Sequence, residues 1–370
     1  MPIVNTDQEA APAGQSRWGG RRAARWWRCT SLAVALASGS ITAACGNEGN
    51  PTDQLQISCP PHISAESVSG SPVRVDFDLA TASGGVRPVT VTCSPPSGSN
   101  FVVGTTTVLC TARDAEQKAA SCGFNITVTR VGLLSATRFL SFGDSITYGT
   151  PSSVCASPSA LMTRESVERE FRLLYPRETL PTPPASSYPS VLQSLLTKRY
   201  VSQSPSVINE GFPGKFITDG GGTNDAELMR LRDALVAWAP QVLLLQEGIN
   251  DLNTNPGRVN EFIPAVVKAL RDMIREAQSR GIPVLLGTLL PQNSSGCRGR
   301  VADSIAPAND QIKAMAVGEG AVVVDLFQAF GGAPGPYIGM EDGLHPTPLG
   351  YEKMAQTFLE SIRTSFEVAR

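Results

Sequence analysis

The sequence holds two histidines, His62 and His345, and the second lies in Asp342-Gly-Leu-His345-Pro346, three residues after an acid. Far upstream, an apolar run ends in Gly143-Asp144-Ser145. A serine hydroxyl is a weak nucleophile until a neighbouring base takes its proton. An acid on the other imidazole nitrogen fixes the tautomer and stabilises the imidazolium. Ser145, His345 and Asp342 are therefore the residue types of acyl transfer. That chemistry also needs donors for a developing oxyanion, each typically worth about 2.7–4 kcal/mol of barrier. Two stretches could supply them. In Asn209-Glu-Gly211-Phe-Pro-Gly214 a glycine lets a backbone N–H approach a substrate closely. In Gly248-Ile-Asn250-Asp251 the Asn250 amide can donate. Gly-x-Asn-Asp occurs a second time, as Gly222-Thr-Asn224-Asp225, but that copy precedes a helical pattern, where Asn224 or Asp225 reads as an N-cap.

The elements that must position these residues begin near residue 135. Apolar runs alternate there with helical periodicity, the pattern of βαβ units and a parallel sheet. The strand-like runs are Arg138-Phe-Leu-Ser-Phe142, Ser206-Val-Ile-Asn209, Val242-Leu-Leu-Leu245, Pro283-Val-Leu-Leu286 and Ala321-Val-Val-Val324. Between them, Leu228, Leu231, Leu235 and Trp238 recur at steps of three and four, as do Ile263, Val266, Leu270 and Ile274. A last helix opens with Thr347 as N-cap and Pro348 in its first turn, with the stripe Tyr351, Ala355, Phe358 and Ile362. The expected fold is a flavodoxin-like three-layer α/β/α sandwich around a five-stranded parallel sheet. In such a sheet active residues gather at the carboxyl ends of strands. Ser145 follows the first strand, Gly211 ends the second and Asn250 follows the third. Asp325, after the fifth, reads as a structural hydrogen-bond acceptor.

These blocks, Gly143-Asp144-Ser145, Asn209-x-Gly211, Gly248-x-Asn250-Asp251 and Asp342-x-x-His345, resemble the SGNH hydrolase superfamily, also called GDSL esterases and lipases. The resemblance runs from about 137 to 365, within a domain read as 135–370. It implies Ser145 as nucleophile, His345 as base and Asp342 orienting the histidine. The Ser145 N–H, the Gly211 N–H and the Asn250 side chain would bind the oxyanion. It also implies hydrolysis of carboxylic esters without a cofactor: acetylated sugars, lysophospholipids, short acyl and aryl esters. The expectation is an esterase for short acyl esters of carbohydrates, with a lipase or lysophospholipase as the alternative. A non-catalytic surface adhesin is the rival from another class, and it would require a damaged triad. One departure from the family is an insertion over residues 150–187, with a helix expected around Leu161–Tyr175. Loops of that length are often lids. Cys155 could bond to Cys297 and pin the insertion over the site; two free buried thiols are the alternative.

Residues 55–130 follow a different pattern. Val73-Arg-Val-Asp-Phe-Asp-Leu79 and Phe124-Asn-Ile-Thr-Val-Thr129 alternate apolar and polar, and turn clusters such as Ser83-Gly-Gly85 separate short strands. A small all-β sandwich is expected. Cys59-Pro60, Cys93-Ser-Pro-Pro-Ser-Gly98, Val108-Leu-Cys110 and Ser121-Cys122 resemble the hyalin repeat, an immunoglobulin-like module. That resemblance implies adhesion or spacing, with a cell-surface glycan or protein as partner. Cys59, Cys93, Cys110 and Cys122 form a disulfide set whose pairing the sequence leaves open. His62 reads as a surface or partly buried side chain.

Upstream, Arg17, Arg21, Arg22, Arg25 and Arg28 precede the apolar run Leu32-Ala-Val-Ala-Leu-Ala37 and the small residues before Cys45. This is the grammar of a secretory signal over residues 1–44, too short to span a bilayer as a mature helix. Ile41-Thr-Ala-Ala-Cys45 resembles a bacterial lipobox, with Thr42 where leucine is usual; it implies lipidation of Cys45, ordinary cleavage near Ala44 being the alternative. Residues 45–54 read as a flexible tether. The expected location is the bacterial cell envelope or the medium, with membrane contact only through a lipid anchor.

Composition bounds the rest. Of 370 residues, 41% are hydrophobic, enough for a core, and the 34 glycines and 28 prolines make the chain turn-rich. The net charge is −2; the leader's five Arg and two acids carry +3, which leaves −5 for the remainder (−2 minus +3). Such a balance gives no electrostatic footprint for nucleic acid. One imidazole beyond residue 62, without His-Glu-x-x-His, argues against a catalytic zinc. Gly214-Lys215 is followed by Phe216 rather than Ser or Thr, which argues against a P-loop.

Overall fold

The computed structural model describes residues 54–155, 163–167, 169, 182–219 and 222–369. The signal and the lipobox cysteine lie outside them, as do residues 45–53 of the tether and most of the helix expected at Leu161–Tyr175.

The small domain is built of six short strands and two long ones: β1 (Gln56–Ser58), β2 (Ile63–Ser67), β3 (Val73–Val75), β4 (Thr81–Ser83), β5 (Thr90–Ser94) and β6 (Ser99–Phe101), then β7 (Gly104–Arg113) and β8 (Ala119–Arg130). A four-stranded sheet runs in the order β2-β8-β7-β5, with β2 parallel to β8, while β1 pairs β4 and β3 pairs β6. Period two is visible in its burial. Val108, Cys110 and Ala112 of β7 and Phe124, Ile126 and Val128 of β8 all face the core. Disulfides join Cys59 to Cys122 and Cys93 to Cys110, the latter two being register partners across β5 and β7. The alternation at 73–79 yields strand only at 73–75. Its partner β6 is three residues long, so Phe77 turns instead to Ser97, whose hydroxyl accepts its N–H at 2.8 Å.

The linker leads through β9 (Leu133–Leu134) into the larger domain, formed by β10 (Arg138–Gly143), α1 (Ser145–Tyr148), α2 (Tyr188–Arg199), β11 (Ser206–Gly211), α3 (Asp225–Trp238), β12 (Val242–Gln246), α4 (Ile249–Asn253), α5 (Val259–Gln278), β13 (Val284–Gly287), α6 (Ala302–Gly318), β14 (Val322–Val324), α7 (Leu326–Ala329), α8 (Pro348–Phe366) and β15 (Glu367–Val368). The sheet is fully parallel in the order β11-β10-β12-β13-β14. From β10 the chain crosses to β11 on one side and returns to β12 on the other. The strand order therefore reverses at β10, and a crevice opens at its carboxyl end. The near-continuous apolar runs of β10, β12 and β13 are buried, as strands covered on both faces require. Helices α2 and α8 pack on each other through the stacked rings of Tyr188 and Phe358, 5.0 Å apart, and α5 packs on α6. Asn224 caps α3 and Thr347 caps α8, each side chain accepting a backbone N–H. Trp238 departs from its stripe: α3 ends there, and the half-exposed indole donates to Glu210 Oε1 at 2.6 Å.

Two contacts bind the ends of this domain. β15 pairs antiparallel with β9, and Gly132 is glycine because a Cβ would collide with the Val368 carbonyl. Arg199, at the end of α2, places its guanidinium between Glu66 of β2 (2.9 Å) and Glu367 of β15 (3.2 Å).

Gly211 ends β11 beside α1, where a Cβ would collide with the backbone of Thr147 and Tyr148. Gly211→Ala is expected to lower stability by about 1–3 kcal/mol, the usual range for overpacking, and to displace α1. A urea midpoint equal to that of the wild type would contradict this packing role.

Candidate active site

An apolar strand that ends in glycine delivers the nucleophile candidate. A Cβ at Gly143 would collide with the Gln246 carbonyl and with Thr147, so only glycine lets β10 pass this close to β12 and α1. Asp144 then caps α1, its Oδ1 accepting the Ile146 N–H at 2.9 Å. Ser145 opens the helix, which closes after one turn on Gly149 in the left-handed region at φ 102°. The Ser145 side chain points to the far end of the sequence: Oγ lies 2.9 Å from His345 Nε2. The other imidazole nitrogen, Nδ1, lies 2.6 Å from Asp342 Oδ2.

Asp342 is fully buried and His345 almost so. Burial alone would raise the Asp342 carboxyl. The hydrogen bond and charge of His345, with the N–H groups of Leu344 and His345 at 2.9 and 3.0 Å on Oδ1, outweigh it and hold the group at about 2. The carboxylate is thus ionised wherever the protein is folded and neutral pH prevails, and it fixes the imidazole hydrogen on Nδ1. Nε2 is left to accept the serine hydroxyl proton. The loop keeps this shape through Gly343 at φ 76°, where a Cβ would collide with the Asn293 carbonyl, and through Arg298 N–H to Asp342 O at 2.6 Å.

Asn250 stands at the start of α4, after Gly248 at φ 112°. Its Nδ2 donates to Lys215 O at 2.9 Å, and the second amide hydrogen is not used in that bond. The neighbouring Asp251 accepts from Ile217 N, Thr218 N and Thr218 Oγ1. Burial nevertheless pushes it up to about 6. The pair Asn250-Asp251 therefore stitches the loop after β11 to α4. Gly211 behaves differently from the expectation that its N–H is a free donor: it donates to Asn209 Oδ1 at 2.9 Å. Gly214, at φ 76°, lies next to Lys215, whose carbonyl holds Asn250.

Sequence reasoning missed a group of charges beneath the serine. Asp144, Glu227 and Glu247 are buried around the guanidinium of Arg230. Arg230 Nε bonds Glu227 at 2.7 Å, Nη1 bonds the Glu210 carbonyl at 2.8 Å and Nη2 bonds the Gly143 carbonyl at 3.1 Å, with the fork 3.7 Å over the Phe142 ring. It therefore clamps the ends of β10 and β11 together. Three carboxyls against one cation are not balanced, so protons remain on some of them. Burial, aided by the charges of Asp251 and Glu227, pushes Asp144 up to about 7. Burial and the Glu227 charge push Glu247 well above the usual carboxylate range, against the opposing pull of Arg230. The sequence signal was the polar pair Gln246-Glu247 at the end of an otherwise apolar strand.

The remaining expected residues are found as follows. Cys155 and Cys297 are bonded. The described part of the insertion includes a helical turn at 164–167, where Arg164 donates to Thr218 O at 2.7 Å and lies 4.6 Å over the Phe216 ring. Asp325 caps α7 and accepts from Thr288 Oγ1 and Lys313. His62 Nδ1 accepts the Asn125 N–H in the small domain. Among the described residues, no group of three or more His, Cys, Asp or Glu is arranged to hold a metal ion.

The GDSL-like lipase/acylhydrolase family matches residues 141–353, and the HYR domain matches residues 53–128. A multidomain esterase from Ruminococcus flavefaciens is 30% identical over 139 residues, which cover 37% of this chain and 17% of that protein. The match thus spans less than a fifth of the relative's length. Among solved structures, a lipase/acylhydrolase from Enterococcus faecalis is 19% identical, with 63% of this chain and 98% of that one covered and a TM-score of 0.44. A catalytic mutant of an acetylxylan esterase from Geobacillus stearothermophilus is also 19% identical, with 64% and 98% covered and a TM-score of 0.44.

The raised Asp144 carboxyl has a signed consequence for stability. The folded chain keeps this proton to about 7, whereas an exposed aspartate gives it up near 3.8. Its contribution to stability therefore declines as pH rises between those values and then levels off. Asp144→Asn keeps a capping oxygen and removes the ionisation. Its melting temperature relative to wild type should climb from pH 4 to pH 7; a difference that stays constant across that range would contradict the assignment.

Proposed function

Because the chain belongs to the GDSL-like lipase/acylhydrolase family, and so is a carboxylic ester hydrolase, we propose that it cleaves short acyl esters of carbohydrates with Ser145 as nucleophile. The observation that carries this reading is the continuous chain of contacts from Ser145 Oγ through His345 to Asp342. In the first half-reaction His345 Nε2 takes the hydroxyl proton while Oγ bonds to the ester carbon. The carbonyl electrons move to oxygen, and Asp342 stabilises the imidazolium. Collapse of the tetrahedral adduct breaks the bond to the leaving alcohol, which takes the proton from Nε2. Water then enters by the same route and releases the acid.

The developing oxyanion is held by the Ser145 N–H, at the start of α1, and by the free hydrogen of Asn250 Nδ2. The sequence assigns a third donor to Gly211. With that N–H turned to Asn209, Gly214 in the same loop is the donor we favour.

The carbohydrate class is supported by the polar residues Lys215 and Glu341 on the loops that carry the site. A second reading, lipid acyl esters, has its own support in the exposed Met340 and Val154 on those loops. Three disulfides among the described residues support a working place outside the cytoplasm. We include in this reading the signal at 1–44, the tether at 45–54 with Cys45 as lipid attachment, the sandwich at 55–130 as an adhesive or spacing module, and the hydrolase at 135–370. Among the described residues, no helix is long and apolar enough to cross a membrane.

Ser145→Ala should abolish p-nitrophenyl acetate hydrolysis and leave the melting temperature nearly unchanged; undiminished turnover would remove the nucleophile assignment. Asn250→Ala should lower kcat by about 10²–10³-fold, and an effect confined to KM would count against its oxyanion role. Across esters from C2 to C12 and acetylated xylan, activity should be greatest on acetyl groups. A maximum at C8 or longer would favour the lipid reading.

A further inference from the structure

The chain that leaves the nucleophile's helix does not turn directly into solvent. Gly149 and Thr150 both donate to the Ser145 carbonyl, at 3.1 and 2.9 Å, and the Thr150 carbonyl accepts the Tyr351 hydroxyl at 2.7 Å. The segment then passes over the loop of Asp342. Ser152 Oγ lies 3.2 Å from Asp342 Oδ1 and 3.1 Å from Glu341 Oε2, and accepts the Asp342 N–H at 3.4 Å. Three residues later Cys155 is bonded to Cys297. Cys297 belongs to the loop that also holds Asp342 from beneath, through Arg298 N–H to Asp342 O and Asn293 N–H to Gly343 O. Residues 149–155 thus form a strap that starts on the nucleophile's helix, crosses the acid and closes covalently on the far side.

Gly339 shows that the strap is built into the loop it crosses. A Cβ at 339 would collide with both Cβ and Oγ of Ser152, so a glycine there is what admits the serine. Asp342 has two carboxylate oxygens with different tasks. Oδ2 faces His345, while Oδ1 is occupied by the N–H groups of Leu344 and His345 and by Ser152. The single Ser152 hydroxyl hydrogen is shared between Asp342 Oδ1 and Glu341 Oε2 while the oxygen accepts the Asp342 N–H, so the serine ties the carboxylate to its own backbone and limits its rotation.

We propose that Ser152 is a positioning residue for the acid–base pair, holding Asp342 so that Oδ2 addresses His345, and that the Cys155–Cys297 bridge holds Ser152 in turn. This rests on the reading of Ser145, His345 and Asp342 as one catalytic unit. The other ionisable groups facing the pair are Glu341 on its own loop and Tyr351 on α8. The Tyr351 phenol is pushed up by burial and by the charges of Asp144 and Asp342.

Removing the hydroxyl frees the Asp342 carboxylate to rotate away from His345 Nδ1. In Ser152→Ala the NMR resonance of the His345 Nδ1 proton, which reports its bond to Asp342 Oδ2, should therefore move upfield and broaden. The kcat for p-nitrophenyl acetate should fall about tenfold with KM little changed. The chain has two histidines, so their ring-proton resonances can be followed one by one. Gly339→Ala, which evicts the serine without deleting it, and the paired Cys155→Ser/Cys297→Ser variant should each move the same resonance in the same direction. A resonance that stays in place, or moves downfield, in Ser152→Ala overturns the proposal, even if kcat falls together with the melting temperature. A resonance that stays in place in the paired variant overturns the role of the bridge. The NMR readout does not depend on turnover. A wild type without ester hydrolysis would overturn the functional reading above and leave this measurement able to decide the proposal by itself.

Discussion

The 2.6 Å contact between Asp342 Oδ2 and His345 Nδ1 is the constraint around which the larger domain is arranged. It joins two residues only three apart, so the loop that carries them must be bent sharply and then prevented from relaxing. Glycines at 296 and 343 let neighbouring backbone come close enough to do this, Gly339 admits the Ser152 side chain, and the Cys297 loop supplies the hydrogen bonds. The serine arrives from 200 residues away on the opposite side of the chain. It reaches the imidazole because β10 lies at the point where the strand order reverses, so its carboxyl end is open to both flanking loops. A histidine–aspartate contact formed locally and a serine delivered by the sheet are separate problems, and the fold solves each with its own elements.

Under Ser145 the arrangement is electrostatically unusual. Arg230 ties the carbonyls of Gly143 and Glu210 to Glu227, and so to α3, while Asp144 and Glu247 remain in the same dry region with raised carboxyls. Burying an unpaired charge is costly, so such groups retain their protons instead. The proton that burial holds on Asp144 lets the residue cap α1 without placing a full negative charge next to the Ser145 hydroxyl.

Much of this was legible in the sequence, and for identifiable reasons. Strands read from apolar runs at 138, 206, 242, 283 and 321 agree with β10 to β14 to within two residues, because a parallel sheet covered on both faces leaves a signal stronger than local propensity. Ser145, Asp342 and His345 could be singled out because strand ends and a lone imidazole leave few alternatives, and the structure brings these three side chains together. Gly211 was selected for its residue type, yet its N–H is taken by Asn209, two residues back, and its lack of a side chain serves α1. That distinction depends on coordinates. Ser152 and Arg230 gave no signal at all. One is a serine in a serine-rich insertion and the other an arginine on an amphipathic helix, and what sets them apart is a carboxylate or carbonyl contributed by sequence-distant chain. The strand expected to run to residue 79 stopped at 75 because its partner was short, a fact that alternation cannot encode.

The pairing of β9 with β15, reinforced where Arg199 spans Glu66 and Glu367, has an architectural consequence. β9, which precedes the five-stranded sheet, and β15, which follows α8, lie side by side, so the two ends of this unit meet at one edge. A unit of that shape can be spliced between other modules as a cassette without lengthening the path of the polypeptide that carries it.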